Sequence, residues 1–275
     1  SGHGQIAVSD SATVTIPEMT QDEFKAAVAA AEAAGQNYYL SANVTLTSDM
    51  TIKREVHVEK LSSLTVASGT LTVKDELYEM AKKEGGTITI QNGAKLDVVE
   101  GKAQVWGGGS LIFEDGADMS GIQADEVWIN MTEGTNTVTT LTDDMLGAMF
   151  TPNSAADILA AYAQTDNYAR VGVWPLNDLV LDQSIRIPEG DDLCLVHGAT
   201  VTVSAGVTLT NNGNIRIDAG NRLEILESGA LDNHGTITVN QNGQLYYCVG
   251  TLTNSGTIDG DGDIITNGMT QEDFA

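Results

Sequence analysis

The chain has 275 residues, and its 13 basic and 38 acidic side chains give a net charge of −25. This balance argues strongly against nucleic acid as a partner, because phosphate binding needs clustered Lys and Arg. No apolar run approaches the roughly 18 residues of a membrane-spanning helix, so we expect no membrane insertion. Hydrophobic residues make up 41% and aromatic residues 5%, values typical of a soluble β-rich protein.

A short helix is predicted near the start of the chain. Residues 1–18 form either a lead-in strand, at Thr13–Ile16, or the end of a preceding unit. Thr20 and Glu23 have the spacing of a capping box, and Gly35 ends the helix. Short alternating strands come next, at spacings that fit the straight faces of a coil better than hairpins: Tyr38–Leu40, Val44–Leu46, Met50–Ile52, Val56–Val58, Leu64–Val66 and Leu71–Val73.

Lys74–Lys83 reads as a short surface helix, after which the strand pattern resumes.

The second half of the chain repeats the pattern of the first. Ser154 and Asp157 form a second helix cap, and Leu179–Leu181 and Ile185–Ile187 then match two early strands. An internal duplication predicts these divisions: 1–18 a lead-in, 19–150 a first helix-capped module, 151–268 a second module, and 269–275 the start of a further tandem unit.

A repeat of about 21 residues indicates a solenoid, in which each repeat is one coil. Its copies begin at Leu209, Leu231 and Leu252, and each contains Leu, a polar residue, Asn and Gly before a short strand. Asn and Gly are expected at the corners, because both tolerate left-handed backbone angles.

A longer period is also present. MTQDEF at Met19–Phe24 returns as MTQEDF at Met269–Phe274. The chain therefore reads as one unit of a tandem array, with neighbouring units of the same polypeptide as partners.

The segment Asp22–Ile52 resembles the entry to right-handed parallel β-helices of the pectate-lyase-like superfamily, and it is also similar to large repetitive surface proteins of gut Gram-positive bacteria. The coils from Leu209 resemble adhesin-type β-helices. The resemblance implies an all-β, right-handed parallel β-helix, internally duplicated, with short amphipathic capping helices. It also implies a secreted, non-catalytic adhesin module at the bacterial cell surface, which binds a host protein or glycan (a mucosal glycoprotein or immunoglobulin) or spaces a binding head.

The alternative function is a polysaccharide lyase or hydrolase of the same fold. Arg186 and Arg216 could project from one face with Asp218 or Glu224, although cross-coil salt bridges explain them as well. No catalytic residue is assigned. Cys194 lies near His197, but alternation along a strand predicts opposite faces for them. Cys194 and Cys248 are either a disulfide or two buried thiols.

Two candidate sites are predicted from the residue types. Tyr246 and Tyr247 must point one ring inward and one outward, and Trp128 alternates in the same way with its neighbours. An outward ring on a solenoid flank suits contact with a sugar or a protein, whereas the alternative is packing under a helix or loop. Calcium is the candidate metal, and it would be bound by the alternating carboxylates Asp259, Asp261 and Asp263; a solvated turn is the alternative.

Overall fold

The computed structural model describes residues 15–79, 85–132 and 134–266, which fold as a parallel β-helix, as predicted. The first half contains one helix and fifteen strands: β1 (Glu18–Met19), α1 (Gln21–Ala33), β2 (Tyr38–Leu40), β3 (Asn43–Leu46), β4 (Met50–Ile52), β5 (Val56–Val58), β6 (Ser63–Val66), β7 (Thr70–Val73), β8 (Glu76–Glu79), β9 (Thr87–Ile90), β10 (Lys95–Val98), β11 (Lys102–Val105), β12 (Ser110–Phe113), β13 (Asp118–Gly121), β14 (Val127–Asn130) and β15 (Thr137–Val138).

The second half begins after a 3-10 turn at Asp143–Met145. Its elements are β16 (Leu146–Phe150), α2 (Ala155–Tyr162), a 3-10 turn (Thr165–Asn167), β17 (Arg170–Val173), β18 (Leu179–Leu181), β19 (Ile185–Ile187), β20 (Asp192–Leu195), β21 (Thr200–Val203), β22 (Thr208–Asn211), β23 (Asn214–Ile217), β24 (Arg222–Ile225), β25 (Ala230–Asn233), β26 (Thr236–Val239), β27 (Gln244–Tyr246), β28 (Thr251–Asn254), β29 (Thr257–Asp259) and β30 (Asp263–Ile265).

Each regular coil contributes one strand to each of three faces. One face is an eleven-stranded sheet with the order β2-β5-β8-β11-β14-β16-β17-β20-β23-β26-β29, which we call the long sheet. The other two faces are interrupted: sheets of six and four strands flank the first half, and sheets of five and four flank the second. Strand pairs throughout are parallel, with Leu193, Ile215 and Ile237 in register on successive coils.

The core is a stack of aliphatic side chains, because alternate residues of every strand point inward. In β24, Leu223 and Ile225 are fully buried, while Arg222 and Glu224, which alternate with them, are half-buried on the outside. Burying each such aliphatic side chain contributes about 1.5–3 kcal/mol. Each half has its own large core cluster.

The two helices occur where the sequence predicts them. Thr20 caps α1 through the predicted capping box: the Glu23 backbone N–H donates to the Thr20 hydroxyl, and the Thr20 N–H donates to the Glu23 carboxylate. Ser154 caps α2 by accepting from the Asp157 N–H. Neither of these described helices is long and apolar enough to cross a membrane.

The helices differ in where they lie in the stack. Helix α1 packs on β2 and β3 of the first coil, with Phe24 and Val28 buried in the core. Helix α2 instead comes after β16 and packs on β17, β18 and β19, replacing two faces of one coil. The predicted boundary between residues 150 and 151 falls between β16 and α2, but the long sheet continues across it through β16 and β17.

Two local predictions of secondary structure are wrong, and a third predicted feature lies outside the described residues. Glu76–Glu79, within the predicted helix Lys74–Lys83, is strand β8 and pairs with β5 and β11, because Leu77 fills an inward position between Val56 and Ala103. The predicted lead-in strand, Thr13–Ile16, is also wrong: Thr15 and Ile16, the two residues of it that the structure describes, are not in a strand. The first strand is β1 instead. The repeated Met269–Phe274 segment lies outside the described residues.

As predicted, left-handed backbone angles at the corners of these coils fall mainly on Gly and Asn, including Gly206, Gly220 and Asn242. The Asn and Gly that closely follow the Leu of each repeat do not have this geometry. The repeated Asn side chains, beginning with Asn211 and Asn233, are buried inside the stack and hydrogen-bond from coil to coil.

Candidate functional site

A groove of about 610 Å³ lies on the outer face of the long sheet, where the two halves of the chain meet. Its walls combine aromatic, charged and amide side chains. The lining residues that carry chemistry are Glu76, Lys102, Gln104, Trp128, Arg170, Trp174, Asp192, Cys194, His197, Asn214, Arg216 and Asn240. They lie on or directly after strands β8, β11, β14, β17, β20, β23 and β26 of the long sheet, so the groove depends on the stacking of coils far apart in sequence.

The floor of the groove is built around Trp128. Its indole lies over two glycines on the next strands: a Cβ on Gly147 would come within 2.4 Å of the Trp128 ring, and one on Gly172 within 2.7 Å. The side chain is only 5% exposed, and its Nε1 donates to the Asp125 carbonyl at 2.6 Å. Trp174, which is half-buried, tilts beside it with ring centroids 6.5 Å apart.

One wall is a network of paired charges. Arg170 donates to Asp192 at 2.7 Å from a terminal nitrogen, and its Nε lies 2.7 Å from the other Asp192 oxygen without the geometry of a second hydrogen bond. Arg170 also donates to Asp125 at 3.2 Å. Lys102 lies 3.6 Å from the same Asp125 carboxylate and 5.8 Å from the centre of the Trp128 ring. These contacts hold the guanidinium and ammonium groups in fixed positions around the indole.

The far end of the groove contains Cys194 and Arg216. Burial raises the pKa of the Cys194 thiol to about 12, so the thiol is protonated and a weak nucleophile at neutral pH. Arg216 lies 3.3 Å from Asp218, and nearly half of its side chain, 46%, is exposed. His197 also lines the groove, because it lies beyond the end of β20 in a left-handed conformation (φ 60°), where strand alternation no longer applies.

Of the aromatic residues predicted from the sequence, Trp128 is in the groove and the tyrosine pair is on another face. Trp128 points outward from the sheet, but neighbouring side chains cover it. Its ring therefore lies at the bottom of the groove and is not an exposed contact surface. Tyr246 lies on β27 with its ring centre 4.2 Å from the Arg222 guanidinium. Tyr247 packs against the second core cluster. The structure therefore does not bring Trp128 together with the tyrosines.

The predicted calcium ligands lie at the C-terminal end of the stack. Asp259 ends β29, Asp263 begins β30, and all three carboxylates, including that of Asp261, are exposed. Within the part of the chain that the structure describes, no three His, Cys, Asp or Glu side chains are grouped so that they could hold a metal ion. Calcium binding at this turn remains a prediction from the sequence.

Of the residues considered for an enzymatic site, Arg216 and Asp218 lie together, and the others are separated. Arg186 is on β19 and Arg216 on the long sheet, so they project from different faces. Glu224 is on a third face, 4.0 Å from Arg222. Cys194 and Cys248 are free thiols rather than a disulfide.

Comparison of the chain with protein-family models, curated proteins and solved structures found no match. The functional argument therefore rests on the geometry of the groove.

Sequence reasoning missed most of the groove, above all Arg170, Trp174 and Asp192. One signal was present: Gly147 and Gly172 each interrupt a short strand, and an isolated glycine within a strand often marks the close approach of another group. Here that group is the Trp128 indole.

Proposed function

We propose that this chain is a non-catalytic, extracellular module of a bacterial surface protein that binds a host glycan or glycoprotein in the groove of the long sheet. The observation that carries the proposal is the aromatic floor of Trp128 and Trp174 beside the fixed charges of Arg170 and Asp192. An indole offers an apolar surface to a sugar ring, and surrounding charged and amide groups offer hydrogen bonds to its hydroxyls.

The carboxylates of the groove favour binding over catalysis. Hydrolysis of a glycosidic bond uses a pair of carboxyl groups, one of them with a raised pKa. In the groove, Asp192 is held by Arg170 and accepts a further hydrogen bond from Asn214 at 3.0 Å. Glu76 accepts from Gln104 at 2.5 Å. Paired in this way, both carboxylates serve to orient donors for a ligand.

The extracellular surface location is supported by the resemblance of Asp22–Ile52 and of the coils from Leu209 to repetitive surface proteins. A solenoid of stacked coils is also a rigid rod with long flanks, which suits either presentation of the groove or spacing of a binding head. The large negative charge favours solubility.

The test is binding of the intact chain to immobilised mucins and to a panel of neutral and acidic polysaccharides. We expect Trp174→Ala to weaken binding of the responsive ligand by about tenfold or more, because truncating a central aromatic contact removes about 1.4 kcal/mol or more. Tyr246→Ala is the matched control, since it removes an aromatic ring from a different face. Loss with Tyr246→Ala but not with Trp174→Ala would move the site to the tyrosine face.

The polysaccharide lyase or hydrolase is tested in the same panel. Each polysaccharide is incubated with the chain, with and without calcium, and new chain ends are measured. Turnover that is abolished by Asp192→Asn would overturn the non-catalytic proposal. Absence of both binding and turnover would leave the chain as a spacer and would contradict a ligand site in the groove.

A further inference from the structure

The C-terminal end of the β-helix is open within the described residues. Leu231, Ile237 and Leu245 are fully buried, but their in-register partners on the last coil are only half-buried: Leu252, Ile258 and Ile264. They occupy inward positions of the last coil. On the earlier coils, the side chain at the same position is covered by the coil that follows. Among the described residues, no further strand pairs with the outer edges of β28, β29 and β30, and such edges favour addition of another strand.

The N-terminal end of the same chain carries a complementary surface. Helix α1 buries Phe24 and Val28 against the first coil. Polar contacts on its flanks fix it there: Lys25 donates to the Asp49 carbonyl at 2.8 Å, and the Lys53 N–H donates to Glu32 at 2.9 Å. The exposed positions of the helix beyond its first turn are all alanine: Ala26, Ala29, Ala30 and Ala33.

This alanine face differs from an ordinary solvent face, which carries charged side chains. Small side chains let a second apolar layer approach the helix closely, and the half-buried Leu and Ile of the last coil form such a layer. The chain already contains a helix inside a continuous stack, because α2 lies between coils while β16 and β17 keep the long sheet unbroken.

The sequence just beyond the open end repeats the segment that leads into α1. MTQEDF begins at Met269, shortly after β30, and it repeats the MTQDEF that starts at Met19. We infer that the open C-terminal end of this unit binds the α1 end of a second copy, joined head to tail. The alanine face of the second copy covers the last coil, and its β2 strand adds to β29, so that the long sheet passes from unit to unit.

Such a contact is heterologous: its two surfaces differ, and both belong to every copy. Because the coils of successive copies would stack along one axis, repetition of this contact builds an extended rod. The inference is independent of the ligand proposed for the groove, because the groove and the two ends use different residues.

The experiment compares the 275-residue chain with a tandem chain in which residues 19–275 are joined after residue 268 of a first copy. Amide hydrogen exchange is measured in the last coil of the first copy. We expect exchange at Ile258 and Ile264 to slow by about tenfold or more in the tandem chain, because a covered coil must open before its amides exchange. Equal exchange in the two chains would overturn the inference.

The matched variants place one charge on the alanine face. Ala30→Glu in the second copy should restore fast exchange in the last coil of the first copy, because the carboxylate would be buried at the junction. Ala30→Glu in the first copy is the control, since there Ala30 faces solvent; it should leave exchange at the junction unchanged. Protection that survives Ala30→Glu in the second copy would show a junction that does not use α1, and would overturn the inference.

Discussion

At the scale of single residues, the repeated glycines of the coils are required by the spacing between coils. A Cβ on Gly235 would lie 2.0 Å from the Gly213 carbonyl oxygen, and one on Gly256 would lie 2.1 Å from the Gly235 oxygen. Neither Gly235 nor Gly256 has a left-handed backbone. The pattern identified the right residues, but the physical reason is close approach of one coil to the next.

Asp191 is a buried carboxyl with a pKa that burial raises. It accepts from the Thr165 hydroxyl at 2.5 Å and from the Val171 N–H at 2.8 Å, where it joins the start of the second half to the long sheet. In the unfolded chain the carboxyl ionises near its ordinary value of 3.8, whereas in the folded chain it keeps its proton to higher pH.

Asp191→Asn should therefore change how stability depends on pH. Because the folded state holds the proton more tightly, Asp191 lowers the free energy of unfolding as pH rises above 3.8 through the raised pKa. The stability of the Asn variant relative to the natural chain should then increase between about pH 3.5 and pH 7, as measured by urea denaturation at about six pH values. Asp182→Asn, at an exposed position, is the control. A difference that does not vary with pH would contradict the prediction.

At the scale of elements, the three regular coils are tied together by a ladder of asparagines on β22, β25 and β28. Asn211 Nδ2 donates to Asn233 Oδ1 at 2.7 Å, and Asn233 Nδ2 donates to Asn254 Oδ1 at 2.7 Å. Asn211 also donates to the Thr236 carbonyl at 3.0 Å. The ladder supplies partners for backbone carbonyls at a corner that the stack buries.

Asn233→Ala removes the middle of the ladder. We expect the free energy of unfolding to fall by about 1–3 kcal/mol, because the buried Asn211 amide loses its acceptor on Asn233. Asn254→Ala is the matched control: Asn254 is exposed at the end of the ladder, so its loss should have a smaller effect. Thermal and urea unfolding monitored by circular dichroism measure both variants, and equal losses would contradict a role for burial.

At the scale of the whole molecule, the long sheet runs through both halves, whereas each half has a separate core cluster. The long sheet passes through β14, β16 and β17, while the side sheets end on each side of α2. In a solenoid, each coil is stabilised mainly by its immediate neighbours. We therefore expect damage near α2 to remain local.

Ile158→Ala tests this locality. Ile158 is 1% exposed in the second core cluster, so its truncation should destabilise the surrounding coils by about 2–5 kcal/mol. Hydrogen exchange should accelerate in β17–β19, which α2 contacts, and stay unchanged in β5–β7 of the first half. Leu159→Ala, at an exposed position of the same helix, should change neither region. Equal acceleration in both halves would show a single cooperative unit.

The groove is a product of this junction. Lys102 and Gln104 come from the first half, Arg170 and Trp174 from the second, and Trp128 lies between them. Along the sequence these residues are scattered, and none belongs to a recognisable catalytic or metal-binding motif. Only the pairing of β11, β14, β16 and β17 brings them to one surface.

The architecture of the chain can be predicted from its sequence alone. Alternation of aliphatic and polar residues, the repeat of about 21 residues and the two capping signals predict a β-helix with a helix at the start of each half, because these are local properties of the chain. The helix predicted at Lys74–Lys83 is wrong for the same reason. Its pattern is local, whereas the strand found there is decided by the pairing of Leu77 with neighbouring coils. The groove, in contrast, is decided by the tertiary structure, since the register between coils sets which outward side chains become neighbours.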